Sequence, residues 1–178
     1  MTYNRIQDVR DRLDLSEEII RDEEIQQEME RANRIMKAKV GRYIIERFIV
    51  TDTDENTLNL KHSEIISVEK IRKNGDDVSS SNYSVNTSTG VITFTSDETF
   101  YYRDVIEVYY IPRIFADLEL LYTELFLLTH RNILTDSDVK QARIDQLKEL
   151  IKETIQTINQ SGTILSYVDR YKEINSIW

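Results

Sequence analysis

The sequence predicts an α+β protein: a helical bundle made by N- and C-terminal helices, with an antiparallel β-sheet subdomain inserted between them. Three observations predict this. Apolar residues recur at helical spacing before residue 41 and after residue 112, and the stretch between them is rich in β-branched and aromatic residues. The few glycines and the single proline fall where these patterns change: Gly41, Gly75, Gly90 and Gly162 each end an element, and Pro112 closes the last strand. The predicted divisions are residues 1–41 (N-terminal helices), 42–111 (β subdomain), 112–160 (C-terminal helices completing the bundle) and 161–178 (a C-terminal docking tail).

The elements follow in order. Ile6, Val9 and Leu13 make one face of a short helix. Asp22 is expected to cap a longer one, with Glu23 and Glu24 at the positive end of its dipole. Ile25, Met29, Ala32, Met36 and Val40 then share a single face, and Lys37, Lys39 and Gly41 mark the exit. Arg42 to Val50 reads as a strand, with a continuing helix as the alternative.

Further strands are predicted at Ile65–Lys73, where the apolar set changes phase before Ile71, and at Asn82–Val85, Val91–Thr95 and Asp104–Ile111. Asn74-Gly75 accepts positive φ at both turn positions and predicts a type I′ hairpin; Thr89-Gly90 marks a second turn. Short turns between consecutive strands predict five or six strands in an antiparallel meander. After Pro112, Leu118, Leu121, Leu125 and Leu128 line one helical face while Leu120 and Phe126 fall off it, which predicts burial between partners. Thr135 and Asp138 resemble a capping box for a last helix carrying Ile144, Leu147, Ile151, Ile155 and Ile158.

Composition narrows the chemistry. The 178 residues contain no cysteine and only two histidines, His62 and His130, read as a loop residue and a helix-end residue. A net charge of −9 argues against tight nucleic-acid binding, yet suits a surface that DNA passes without sticking. No apolar run approaches the ~18 residues of a membrane span, and the opening MTYNRIQDVRDRLDL carries charge where a signal peptide needs an apolar stretch, so a cytosolic origin is expected.

No motif predicts a catalytic residue, a cofactor or a metal. Asp52-Thr53-Asp54-Glu55-Asn56 opens like a calcium loop but continues with Thr57 and Ser63 where Gly and Glu are needed, and reads as an acidic turn. Glu17, Glu18, Asp22, Glu23, Glu24, Glu28 and Glu30 interleave with Arg21, Arg31 and Arg34, as on a solvated helix face. Tyr101-Tyr102 and Tyr109-Tyr110 could stack bases, but Asp97, Glu98, Asp104 and Glu107 make the region acidic, which favours packing or protein contact.

The tail is too apolar for a free terminus. Ile164, Leu165, Tyr167, Val168, Tyr171, Ile174, Ile177 and Trp178 read either as a strap on the chain's own core or as an arm inserted into a neighbour, with Trp178 as anchor.

The helical opening IIRDEEIQQEMERANRIMKAKVG is similar to the Asp–apolar–Ala–Gly helix of tailed-virus head–tail connector adaptors. The stretch SVEKIRKNGDDVSSSNYSVNTSTGVITFTSDETFYYRDVIEVYYI resembles the hairpin-rich sheet segments of virion head and tail proteins. The resemblance implies a structural virion protein in the neck, assembled in the host cytoplasm as a ring of about twelve copies. It further implies as partners the portal protein, a tail or stopper protein, and passing genomic DNA held without sequence-specific contacts. It places portal docking on the arm bearing Ile164, Leu165, Tyr167, Tyr171, Ile177 and Trp178. The inserted sheet departs from simpler, nearly all-helical adaptors, so a stopper or tail-completion role stays open. A non-catalytic module binding a peptide at its sheet edge, and an enzyme of unfamiliar type, are the other readings.

Overall fold

A computed structural model describes residues 2–51, 56–131, 133 and 137–160. The fold is α+β, with helices and an inserted antiparallel β portion. The chain divides into two compact units: a helical one from residues up to Gly41 and Ile114–Gln160, and a β one from Arg42–Arg113.

The helical unit contains α1 (Ile6–Leu13), α2 (Asp22–Val40), α3 (Ile114–His130) and α4 (Ser137–Gln160). Ile25, Met29, Ala32, Met36 and Val40 of α2 are all buried, as their shared face requires. Gly41 follows α2 with φ 83° and donates its N–H to the Lys37 carbonyl at 3.0 Å. Helix α3 lies against α1, α2 and α4, and buries Phe115, Leu118, Leu121, Tyr122, Leu127 and Leu128. Its apolar residues point several ways because the chain's own helices cover several sides. Burial on more than one side is what the spacing of its apolar residues predicts. Each fully buried Leu contributes roughly 1.5–3 kcal/mol.

Asp22 is the first residue of α2, not its cap. The N-cap position belongs to Arg21, whose backbone N–H donates to Glu24 at 3.3 Å. The Asp22 carboxylate instead accepts from Arg10 Nε at 3.0 Å. Arg10 is buried and also donates to the carbonyls of Leu15 and Ile20, at 3.2 and 2.9 Å, so one guanidinium ties together the α1–α2 connection.

Buried carboxylates organise the rest of the unit. Glu119 on α3 is 0% exposed. It accepts the backbone N–H groups of Tyr3 and Asn4 at 2.8 and 2.9 Å, Asn4 Nδ2 at 2.9 Å and Asn33 Nδ2 at 2.6 Å. Glu124 on the same helix accepts from Arg12 at 3.1 Å and Arg143 at 2.6 Å, linking α1, α3 and α4. Glu28 on α2 is also buried, accepting from Arg131 Nε at 3.3 Å, with His130 Nδ1 3.4 Å away. The reading of the α2 carboxylates as one solvated face is therefore corrected at Glu28, and at Glu24, which pairs with Arg131 at 3.3 Å.

The β unit has seven strands: β1 (Ile44–Ile49), β2 (Thr57–Asn59), β3 (Ile65–Lys73), β4 (Asp76–Asp77), β5 (Tyr83–Asn86), β6 (Val91–Phe94) and β7 (Val105–Pro112). Arg42 to Val50 is thus a strand and not a continuation of α2. The strands form two sheets, ordered β1-β7-β3-β4 and β2-β6-β5, with every pairing antiparallel.

This is not the expected meander. β7 buries Ile106, Val108 and Tyr110 on one face and Tyr109 on the other, so it takes a central place between β1 and β3. The phase change in β3 is physical, because register shifts fall between Ile65 and Ser67 and between Val68 and Lys70. Asn74 (φ 53°) and Gly75 (φ 96°) form the predicted two-residue hairpin between β3 and β4.

Replacing Glu119 with Ala removes the buried acceptor of four N–H donors. Glu119→Ala is expected to lower stability by about 3 kcal/mol or more. Glu119→Gln, whose carbonyl keeps the Tyr3 and Asn4 bonds while Asn33 turns its amide, is expected to lose about 1 kcal/mol. Urea unfolding monitored by circular dichroism checks both values.

Candidate interaction surface

The residues singled out in the tail (Ile164, Leu165, Tyr167, Tyr171, Ile177 and Trp178) lie outside the described residues, as do Asp52–Glu55 of the acidic turn and Thr135 of the last capping box. Among the described residues, the features that stand out as surface chemistry belong to the β unit.

The first is a recess with an apolar floor. β1 and β2 are the terminal strands of their sheets, so one side of each has no neighbouring strand among the described residues. Between them lies a recess of about 260 Å³ lined by Phe48, Ile49, Leu58, Phe94, Phe100 and Ile106. Its floor is rigid: Phe94 and Phe100 meet edge to face at 4.8 Å, and both are buried. Its rim is uncovered, with Ile49 61% exposed.

Exposed aromatics adjoin the same strand. Tyr101 is 67% and Tyr102 64% exposed, with the Arg103 guanidinium 5.5 Å from the Tyr102 ring. The chain there is held against the end of β1, since Arg103 N–H donates to the Val50 carbonyl at 2.8 Å and Val50 N–H to the Asp104 carbonyl at 2.9 Å. Asp104 accepts from Asn74 Nδ2 and from the Tyr101 N–H, both at 2.8 Å, and these bonds hold its carboxyl below the usual range. The two tyrosines are therefore displayed from a braced turn.

Tyr109 and Tyr110 are different: both are buried in packing. Tyr109 meets the Tyr43 ring edge-on at 5.4 Å, and its face is occupied by Lys70 Nζ at 4.3 Å. An open base-stacking platform does not exist at this pair.

The second feature is polar. The Tyr110 hydroxyl donates to the Glu46 carboxylate, which also accepts the Lys61 backbone N–H at 2.9 and 3.0 Å. Burial raises the Glu46 carboxyl in spite of these bonds, and burial with the Glu46 bond raises the Tyr110 phenol. His62 packs its ring 6.1 Å from that of Tyr110, and its Nε2 is buried with no hydrogen-bond partner among the described residues. Burial, reinforced by Lys61, depresses the His62 imidazole.

Gly90 makes this fit possible. At φ 68°, a Cβ there would lie 2.3 Å from the His62 carbonyl oxygen. His62 is thus a half-buried loop residue whose backbone packs on Gly90 and whose ring packs beside Tyr110, a placement that its sequence neighbours do not reveal.

His130 closes α3, as read from the sequence, stacking on Phe126 at 5.6 Å beside Arg31. Among the described residues, no three His, Asp or Glu side chains converge as a metal site would require, and no helix is long and apolar enough to cross a membrane. No protein-family model matches the chain, and no curated protein matches it.

The His62 environment sets a pH dependence. Unfolded, the imidazole takes up its proton near the ordinary value of about 6.5; folded, it does so only at lower pH. The His62 contribution is therefore present above that value and is lost as pH falls through the folded one. The melting temperature of wild type is expected to fall more steeply below about pH 6.5 than that of His62→Gln. Thermal melts across that range check this, and parallel slopes would count against it.

Proposed function

We propose that this chain is a structural virion protein, a head-to-tail connector adaptor. Its copies form a ring of about twelve between the portal and the tail or the next connector ring, lining the DNA passage. The observation that carries this reading is the β1–β2 recess: a cavity with an apolar floor at two strand edges that have no neighbouring strand among the described residues, beside exposed Ile49, Tyr101 and Tyr102. Uncovered aromatic and aliphatic groups on a braced frame suit a protein neighbour.

The helical unit supports the same reading. Its buried carboxylates Glu119, Glu124 and Glu28 are each engaged by N–H donors, so they serve to fix helices. An excess negative charge repels phosphate and lets a duplex slide past without sequence-specific contact. In this role the tail residues Ile164, Leu165, Tyr167, Tyr171, Ile177 and Trp178 bind the partners, and the far end of the arm reaches the portal. The chain acts without catalysis or cofactor.

A stopper or tail-completion role in the same neck uses the same surfaces. The outer edges of β1 and β2, which have no neighbouring strand among the described residues, also favour a second reading, a non-catalytic module that captures an extended peptide by strand addition.

Deleting residues 163–178 tests the adaptor reading. The truncated chain is expected to keep the circular dichroism and melting behaviour of the full one while losing attachment to portal rings from the same virus. Pull-down and negative-stain electron microscopy read the outcome. Undiminished docking of the truncated chain refutes the assignment.

A further inference from the structure

We infer that the recess between β1 and β2 is the receptor for the first half of the tail, residues 163–168, of a second copy of this chain. The inference rests on the reading of the chain as a self-assembling component, and names where on a sister copy the arm lands.

A closed ring needs each copy to carry two different, complementary surfaces, one giving and one receiving. The recess is a receiving surface. Phe48, Ile49, Leu58, Phe94, Phe100 and Ile106 give the slot an apolar side, Thr51, Thr57 and Asn59 a polar one, and it is flanked by two strands that each lack a neighbour on one side among the described residues. Such a slot takes an extended segment: main-chain groups pair with the open edges, and alternate side chains enter the cavity. A folded helix would leave those edge groups unpaired.

The giving surface is in the same sequence. Thr163-Ile164-Leu165-Ser166-Tyr167-Val168 is β-branched, aliphatic and aromatic throughout except for one serine, and it carries no charge. Leu165 and Tyr167 alternate with Ile164, Ser166 and Val168, so either register presents apolar groups to the slot.

The flanking stretches Phe48–Val50 and Thr57–Asn59 each cover three residues, about 10 Å of strand, so the recess seats about half of the six-residue segment, which spans about 20 Å when extended. The eighteen residues after Gln160 span up to about 60 Å when extended, enough to leave one molecule for another. Charge appears only beyond the segment, at Asp169, Arg170, Lys172 and Glu173. That leaves Tyr171 to Trp178 free for a different contact, so sister docking and portal docking use different halves of one arm.

The absence of cysteine makes the test clean. Single substitutions Ile49→Cys and Thr57→Cys place a thiol at the recess, and Ile164→Cys and Leu165→Cys place one in either phase of the segment. Mixing a recess variant with a segment variant under mild oxidation is expected to give a covalent dimer of twice 21.1 kDa on a non-reducing gel. Its yield should be at least fivefold above that obtained with Val139→Cys, an exposed position on α4. Ile49→Glu, carried on a segment variant mixed with Thr57→Cys, leaves its partner's recess intact and should not reduce the yield. Ile49→Glu carried on the Thr57→Cys chain itself should abolish it.

Two results overturn the inference: a heterodimer yield no better than the α4 control, or closure within one chain when Ile49→Cys and Leu165→Cys are combined. Sedimentation of the wild-type chain separates the two levels. Oligomers without the cross-link remove the recess assignment alone, whereas monomers at every concentration remove the self-assembly reading with it.

Discussion

Glu119 is the interaction on which the helical unit closes. A carboxylate withdrawn from water costs several kcal/mol unless hydrogen bonds replace its hydration. Here four N–H donors do so without a cation among them, from the backbone of Tyr3 and Asn4 and the side chains of Asn4 and Asn33. The donors belong to the N-terminal segment and to α2, while the acceptor belongs to α3. Each element is therefore held at one height against the others, because sliding any of them exposes an unpaired charge. Asn4 fixes the arrangement further by donating to the Ala116 carbonyl at 2.8 Å. Apolar packing alone tolerates sliding; this constellation does not.

The other buried charges extend the same logic outward. Glu124 joins Arg12 to Arg143, and Glu28 joins Arg131 to the neighbourhood of His130 and Arg31. Arg10 secures the α1–α2 connection through two carbonyls and Asp22. A helical unit fixed in this way is a stiff mount. The β unit shows apolar surface at one recess and two tyrosines on a turn. The division of labour suits a part whose job is to be held and to hold, which is the basis of the adaptor proposal.

The helices were legible because their information is periodic. Ile25 to Val40 of α2 keeps one face over about four turns, and Ile25, Met29, Ala32, Met36 and Val40 on that face are buried. The Asn74-Gly75 hairpin was legible because positive φ at two successive positions admits few dipeptides. Even the bulges of β3 left a trace, as the phase change before Ile71. Strand order left none. Which strand sits beside β7 depends on the burial of both its faces, and the partners β1 and β3 start about sixty and forty residues earlier in the chain.

The roles of Glu119, Glu124 and Glu28 were equally hidden, since a glutamate in a helix reads as surface until its donors are known. The recess draws on residues from 48 to 106, so no local window contains it. The one hint for His62 was Gly90, whose missing Cβ makes room for a carbonyl from a distant loop.

The route by which the β unit is inserted has its own consequence. The chain enters at Ile44 and leaves at Tyr110, and those two residues face each other across the β1–β7 ladder. An excursion of some seventy residues thus begins and ends at a single doorway. Lengthening a hairpin or trading one turn for another inside it leaves both doorposts where they were. The helices can keep their spacing while the excursion is remodelled, so this architecture lets the surface of the β unit change without redesigning the helical one.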